Sequence, residues 1–281
     1  PRAVAPVHLA GQLVDLDALG ACAAALELAV VEDACHALGA TTAAGIEPAG
    51  GPVGACHASA MTVFSFHPVK SVTMGEGGAI TTNDAGLARR LKHFRGHGIT
   101  RTPAAFVDLA AGLAADGGPN PWYYELADIG FNYRASDIQC ALGCSQLAKL
   151  DAFVAARRAS VERYDRGLAP LAPLVAPLAR HADRAHAWHL YVVLVDFAAT
   201  GCDRALLMRR LAAEGIGSQV HYIPLHRQPY YRRRYGEMSL PGAEAYYRRC
   251  LSLPLFVGLN AADVHRVVDG LAGSLARARA A

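Results

Sequence analysis

Two short apolar runs constrain this chain more than any other feature, because each ends on residues that carry chemistry. Leu28-Ala29-Val30-Val31 breaks directly into Glu32-Asp33, while residues 61–66, rich in β-branched and aromatic side chains, are stopped by Pro68 and followed by Lys70. Runs of this length and composition read as strands buried in the sheet of an α/β fold. Pro68 has no N–H to give to a ladder, so the second strand ends before it. In such folds ligands meet the protein at the carboxyl edge of the sheet. Asp33 and Lys70 both arrive at that edge.

The remaining pattern suits the same fold class. Residues 18–29 read as an Ala-rich helix leading into the first strand. Gly75, Gly77 and Gly78 form a loop after Lys70, residues 79–82 resume an extended pattern, and Asn83-Asp84 caps a helix with Leu87, Leu91 and Phe94 on one face. Ser136-Asp137-Ile138-Gln139 is a capping box that opens one long helix, or two joined by a kink, reaching Leu168. A strand (190–195), a helix (203–214), a second strand (218–223) and a final helix from Asn260 follow. Residues 103–121, rich in Gly, Pro and Ala with weak periodicity, are expected to form a mobile surface insertion. Cys140 and Cys144, one helical turn apart, are expected in a helix core, and Trp188 and Tyr191 at a domain junction.

Composition narrows the function classes. With 27 Lys+Arg against 24 Asp+Glu the net charge is +3, too balanced for a protein that holds nucleic acid electrostatically. The run Tyr230-Tyr231-Arg232-Arg233-Arg234-Tyr235 therefore reads as a solvated surface segment. The 53% hydrophobic content excludes disorder and supports one or two domains with a sizeable core. The most apolar stretch, residues 18–31, carries Glu27 and is too short to cross a bilayer. Seven cysteines (22, 35, 56, 140, 144, 202, 250) form no C-x-x-C pair, which fits reduced thiols in a cytoplasmic protein. The twelve histidines match no zinc signature, so no metal site is expected. The chain opens Pro-Arg-Ala-Val with no signal-peptide pattern, and an N-terminal portion is expected to be missing.

Only three lysines are present, at 70, 92 and 149, so each can be weighed. Lys92 and Lys149 lie in helical patterns where a long stem reaches water. Lys70 alone follows a strand into a Gly-rich loop. Burial there makes its amine neutral and nucleophilic, as a Schiff-base lysine requires, and arginine cannot replace it. Asp33 can hold a pyridine nitrogen protonated, and the Ser65 hydroxyl can bind a phosphate. Each residue also has a plainer reading: a solvated loop lysine, a helix-capping aspartate, a strand-end serine. On residue chemistry alone both readings stand.

The segments Val30-Val31-Glu32-Asp33-Ala34-Cys35-His36-Ala37-Leu38-Gly39-Ala40, Phe64-Ser65-Phe66-His67-Pro68-Val69-Lys70 and Gly75-Glu76-Gly77-Gly78 resemble the DegT/DnrJ/EryC1/StrS sugar aminotransferases. The resemblance implies the fold of the type I transferases that use pyridoxal 5'-phosphate (PLP). Residues 1–148 would be the remainder of a large cofactor-binding domain, and residues 149–281 a linking helix with a small C-terminal α/β domain. It further implies that Lys70 carries the cofactor, that Asp33 pairs with the pyridine nitrogen, that Ser65 binds the phosphate and that His36 lies near the ring. Asn132 would reach the cofactor phosphate of the neighbouring subunit in a homodimer with shared active sites. Gln219, His221 and Tyr222, together with Ser65 and Asn132, would meet the sugar nucleotide.

Within the family, Trp122-Tyr123-Tyr124-Glu125, Gly130-Phe131-Asn132-Tyr133-Arg134 and Val220-His221-Tyr222-Ile223-Pro224 are most similar to the branch acting in pseudaminic acid biosynthesis. That likeness implies amination at C4 of a UDP-linked 4-keto-6-deoxy-N-acetylhexosamine, with glutamate as donor. A dTDP- or GDP-linked keto sugar, or a non-catalytic protein that only binds a sugar nucleotide, are the alternatives. Dehydratase relatives, in which His replaces the Schiff-base lysine, are disfavoured by Lys70. A Gly-Thr/Ser phosphate loop and an aromatic ring that stacks on the cofactor, both upstream in the family, are not seen in this chain, and the 103–121 insertion departs from the family pattern.

Overall fold

The computed structural model describes residues 1–42, 51–181 and 184–279. Its N-terminal sheet has four strands in spatial order β1 (Ala3–Val4), β2 (Ala29–Asp33), β3 (Met61–Ser65) and β4 (Gly78–Thr81). The first three are parallel and β4 returns antiparallel to β3. Helix α1 (Leu16–Ala25), capped by the Asp15 carboxylate on the Ala18 N–H, delivers the chain to β2.

Register decides which side chains share a face. Glu32 pairs with Thr62 and Asp33 with Val63. Glu32, Thr62 and Phe64 point to the buried face. Because successive strand residues alternate, Asp33, Val63 and Ser65 point to the other. The two run-ending carboxylates thus have opposite fates: Glu32 joins the interior, and Asp33 opens onto the site.

Beyond β3 the chain turns through the Lys70 loop. The Phe66 carbonyl accepts from Met74 N–H at 3.0 Å and from the Thr73 hydroxyl at 3.3 Å, while Phe66 N–H donates to Gly77 at 2.9 Å. Gly78 is required where β4 leaves this loop, because a Cβ there would stand 2.5 Å from the Phe64 carbonyl oxygen of the neighbouring strand. Helix α2 (Ala85–Arg95) is capped by Asp84, as the pattern predicts. Of the two readings of residues 136–168 the structure has the second, two helices: α3 (Asp137–Leu147), opened by the Ser136/Gln139 capping box, and α4 (Leu150–Leu168). Gln139 also donates to the Glu76 carbonyl at 2.8 Å, tying the start of α3 to the glycine loop. Cys140 and Cys144 are exposed on α3 and lie outside any core, because no residue of that helix is buried within this chain.

The C-terminal half is built on an antiparallel sheet, β5 (Val175–Pro177), β6 (Tyr191–Val195) and β7 (Cys250–Leu253), with β6 in the middle. Helices α4, α5 (Arg204–Ala213) and α6 (Ala261–Arg279) cover it. The main core gathers Val161, Tyr164, Val193, Leu207, Leu211, Leu251 and Leu271. Tyr164 and Tyr191 stack there at 4.5 Å, and the Tyr164 hydroxyl reaches the Pro254 carbonyl at 2.8 Å. Trp188 and Tyr191 belong to this cluster.

Two expectations change. Residues 218–223 are not a strand: Gln219 makes one bridge to Ser252, and the His221 carbonyl is taken by the Tyr246 hydroxyl instead of a ladder. Residues 103–121 carry structure of their own, a turn at Pro103–Ala105 and a short helix Leu109–Gly112 capped by Asp108. Phe106 is buried against Tyr123, and the Glu125 carboxylate accepts from the Val107 and Asp108 N–H groups and from the Tyr123 hydroxyl. That one carboxylate organises the loop without periodicity. No described helix is long and apolar enough to cross a membrane.

Candidate active site

Lys70 lies in the loop that follows β3, with its backbone N–H on the His67 carbonyl at 2.9 Å. Asp33 ends β2, and one of its carboxylate oxygens accepts from Cys35 N–H at 3.0 Å. This local turn swings the next residues, Cys35 and His36, around the edge of the sheet. Ser65 ends β3 on the same face as Asp33. An amine, a carboxylate and a hydroxyl are therefore brought to one sheet edge by two adjacent parallel strands.

The electrostatics follow from partial burial. Burial pushes the Lys70 amine below its ordinary pKa, against the opposing pull of Cys35 and Asp33. His36 is driven down to about 4, first by burial and then by the Lys70 charge. The Cys35 thiol is pushed up to about 11 by burial and by its contact with Asp33. Burial also raises the Tyr222 phenol and lowers His221. Burial thus lowers the Lys70 amine beside the Asp33 carboxylate, and holds His36, Cys35, His221 and Tyr222 toward their neutral forms.

The substrate-facing residues expected from the sequence divide into two groups. His221 is anchored, its Nδ1 lying 2.8 Å from the Ser252 hydroxyl, and the Tyr222 hydroxyl sits 3.5 Å from His36 Nε2. These two join the Lys70 cluster. Gln219 is exposed, and its side-chain oxygen accepts from the Val220 N–H at 2.9 Å. Asn132 lies on a separate segment that is fastened to the end of α2 by Phe131 N–H on Phe94 and Tyr133 N–H on Arg95. It is exposed in this chain.

His189 is the residue that sequence reasoning missed. Its ring packs 4.5 Å from that of His36 and is buried. Within the run Trp188-His189-Leu190-Tyr191 it reads only as the lead into a strand, and nothing local signals its partner. Arg157 was missed for the same reason; mid-helix in α4, it is buried and donates to the carbonyls of Trp188, His189 and Leu255.

The donor set fits PLP. Lys70 can bond its aldehyde carbon, Asp33 can face its ring nitrogen, and the Ser65 hydroxyl can donate to its phosphate.

A profile of the DegT/DnrJ/EryC1/StrS aminotransferase family matches residues 1–272. The chain belongs to this family. It is 36% identical over 273 residues to the spore coat polysaccharide biosynthesis protein SpsC of Bacillus subtilis, covering 96% of this chain and 66% of that protein. Among solved structures it resembles Helicobacter pylori PseC, an aminotransferase involved in the biosynthesis of pseudoaminic acid, with TM-score 0.84, 29% identity and coverage of 98% of this chain and 67% of that one. It also resembles the sugar aminotransferase CalS13 of Micromonospora echinospora, with TM-score 0.79, 29% identity and coverage of 97% and 67%. The chain thus spans about two thirds of the length of these relatives. The α/β architecture is that of the type I PLP-dependent transferases.

Proposed function

We propose that the protein is a PLP-dependent sugar aminotransferase. In this reading it moves an amino group from glutamate to C4 of a UDP-linked 4-keto-6-deoxy-N-acetylhexosamine in the pseudaminic acid pathway. The observation that carries the reading is the convergence of Lys70, Asp33 and Ser65 on one face of the β2–β3 edge, with burial weakening the Lys70 ammonium. The likeness to PseC supports the choice of sugar.

The cofactor, when bound, supplies an electron sink conjugated with the reacting carbon. The chain's residues supply the rest. Asp33 would hold a proton at the ring nitrogen, and Ser65 would donate to the phosphate. Lys70 Nζ, whose pKa burial lowers, would take the proton from the donor Cα in one half-reaction and deliver a proton to the sugar C4 in the other. One lysine can serve both half-reactions because each needs a proton moved at a carbon beside the same cofactor. His36 presents Nε2 toward Tyr222, and His221 and Tyr222 line the approach of the sugar nucleotide, with Gln219 at its outer end.

A second copy completes the assembly in this reading. Trp122, Ile129, Tyr133 and Ile138 are 72%, 90%, 71% and 84% exposed, a density of apolar side chains characteristic of an interaction surface. Helix α3 buries nothing in its own chain. Asn132 lies on the same stretch, which supports its assignment to the neighbouring copy's site. All seven cysteines are unpaired, which suits a cytoplasmic location. In the aromatic-basic helix Pro229–Tyr235, Arg232 pairs with Glu237, and Arg234 with Tyr230 and Tyr235.

Lys70→Ala and Lys70→Arg are expected to abolish glutamate-dependent amination while the protein stays folded by circular dichroism. The substrates are UDP-, dTDP- and GDP-linked 4-keto sugars, resolved by chromatography of the aminated product. Turnover with the UDP sugar alone supports the assigned substrate, and turnover with another nucleotide revises it. Amination retained by either Lys70 variant refutes the mechanism.

A further inference from the structure

His36 is held by an arrangement that its own hydrogen bonds do not explain. Its Nδ1 accepts from the Ala10 N–H at 3.3 Å, so in the neutral ring the proton is on Nε2, which faces the Tyr222 hydroxyl at 3.5 Å. Both contacts are long. The χ2 torsion of histidine is broad and roughly two-fold, so two weak contacts do not by themselves prevent the ring from turning over and exchanging its nitrogens for carbons. Two rings pack against His36: Tyr222 stacks with centroids 6.3 Å apart, and His189 lies closer, at 4.5 Å with planes tilted by 40°, where it stands in the way of such a turn.

His189 is in turn fixed along its backbone. Its N–H donates to the Ala10 carbonyl at 3.0 Å, and its carbonyl accepts from Arg157 Nη1 at 3.2 Å. The same guanidinium nitrogen holds the Leu255 carbonyl at 3.1 Å. The Ala10 residue is thus clamped between two histidines, its N–H on His36 and its C=O on His189. The backbone at Ala10 has φ 61°, a left-handed conformation uncommon for a residue with a Cβ. The His189 ring has no comparable anchor: its Nδ1 is buried and has no hydrogen-bond partner. Whatever the ring does for His36, it does through its shape.

We propose that His189 is a positioning residue whose ring braces His36 in the one orientation where the Ala10 N–H meets Nδ1, so that the Nε2–H tautomer is kept and aimed at Tyr222 and the Lys70 cleft. The C-terminal half of the chain thereby sets the geometry of a residue that arises from the N-terminal sheet. The link runs from Arg157 through the His189 backbone and ring to His36. In the catalytic setting this inference rests on the aminotransferase reading; as a statement about the His36 ring it does not.

The test compares His189→Ala, His189→Leu and His189→Phe. Two-bond 1H–15N correlation spectra of the His36 ring, assigned with His36→Gln, report its tautomer in protein prepared without cofactor or substrate. Wild type and His189→Phe are expected to show the single Nε2–H form, because a phenyl ring restores the stack. His189→Phe is also expected to match or exceed wild-type stability, since it removes a buried nitrogen with no partner. His189→Ala, or His189→Leu should the alanine variant not fold, is expected to show both tautomers. With sugar substrate, loss of the brace lowers kcat by roughly tenfold, and His189→Phe restores it. A single unchanged His36 tautomer in the Ala or Leu variant overturns the proposal, as does a mixed one in His189→Phe. Absence of amination by wild type would sink the aminotransferase reading and leave the tautomer result standing.

Discussion

Glu32 offers the sharpest test of how the site's scaffold is held. It immediately precedes Asp33, yet it is 2% exposed and turned to the opposite face of β2. Its carboxylate accepts from His8 Nε2 at 2.8 Å, from the Thr62 hydroxyl at 3.0 Å and from the Ser59 hydroxyl. His8 Nδ1 accepts from the Val14 N–H at 3.1 Å, so Nε2 is committed as the donor. Glu32→Ala removes the acceptor for all three. Thr62 can turn toward Cys56 Sγ, 3.3 Å away, and Ser59 is only partly buried, so those two hydroxyls find other partners. The fully buried His8 N–H does not. Loss of charge-assisted bonds together with one stranded donor costs about 3–5 kcal/mol, a large share of the roughly 5–15 kcal/mol that holds a typical domain. Urea melts at pH 7 measure it, and a loss below about 1 kcal/mol would refute the reasoning. Acid titration gives an independent check. Burial acts to raise the Glu32 carboxyl, and the hydrogen bonds from His8, Ser59 and Thr62 outweigh it, so its folded pKa lies below 4.5. Its contribution is therefore complete above pH 4.5 and is lost as pH falls through the lower folded value. The variant is expected to lack that part of the acid-induced destabilisation.

The features legible in the sequence were those with local causes. Asp33 and Lys70 could be placed because an apolar run that stops on a charge, or on proline, marks its own end. Asp84 and the Ser136/Gln139 box announced their helices because a cap is satisfied within its own first turn. The opposite fates of Glu32 and Asp33 were hidden, since the partner strand's register, not the run itself, decides which face is interior. The role of His189 was hidden more deeply, because its contact with His36 depends on where a distant strand is laid. Residues 218–223 look like a strand by composition, but the Tyr246 side chain takes the carbonyl that a ladder would have used. The short helix in residues 103–121 rests on one acceptor, Glu125, which no periodicity test detects.

Gly78→Ala is expected to destabilise the protein by about 2 kcal/mol, because its Cβ would stand 2.5 Å from the Phe64 carbonyl oxygen; a urea midpoint unchanged from wild type would show that β3 and β4 separate freely. Ile138→Asp tests the second copy. Ile138 is 84% exposed in the first turn of α3, where an acidic side chain favours the isolated helix. Within a single chain the substitution is therefore neutral or mildly stabilising. Against an apolar surface of a partner it buries a carboxylate with no counterion, and weakening of association by at least about a hundredfold, near 2.7 kcal/mol, follows. Sedimentation velocity over a dilution series is expected to show wild type as a dimer and Ile138→Asp as a monomer with an unchanged melting temperature for the dissociated chain. Ile138→Leu, which keeps the apolar contact, should remain dimeric. If Ile138→Asp sediments as wild type does, α3 lies outside the contact between copies, and the proposed surface loses the helix that buries nothing in its own chain.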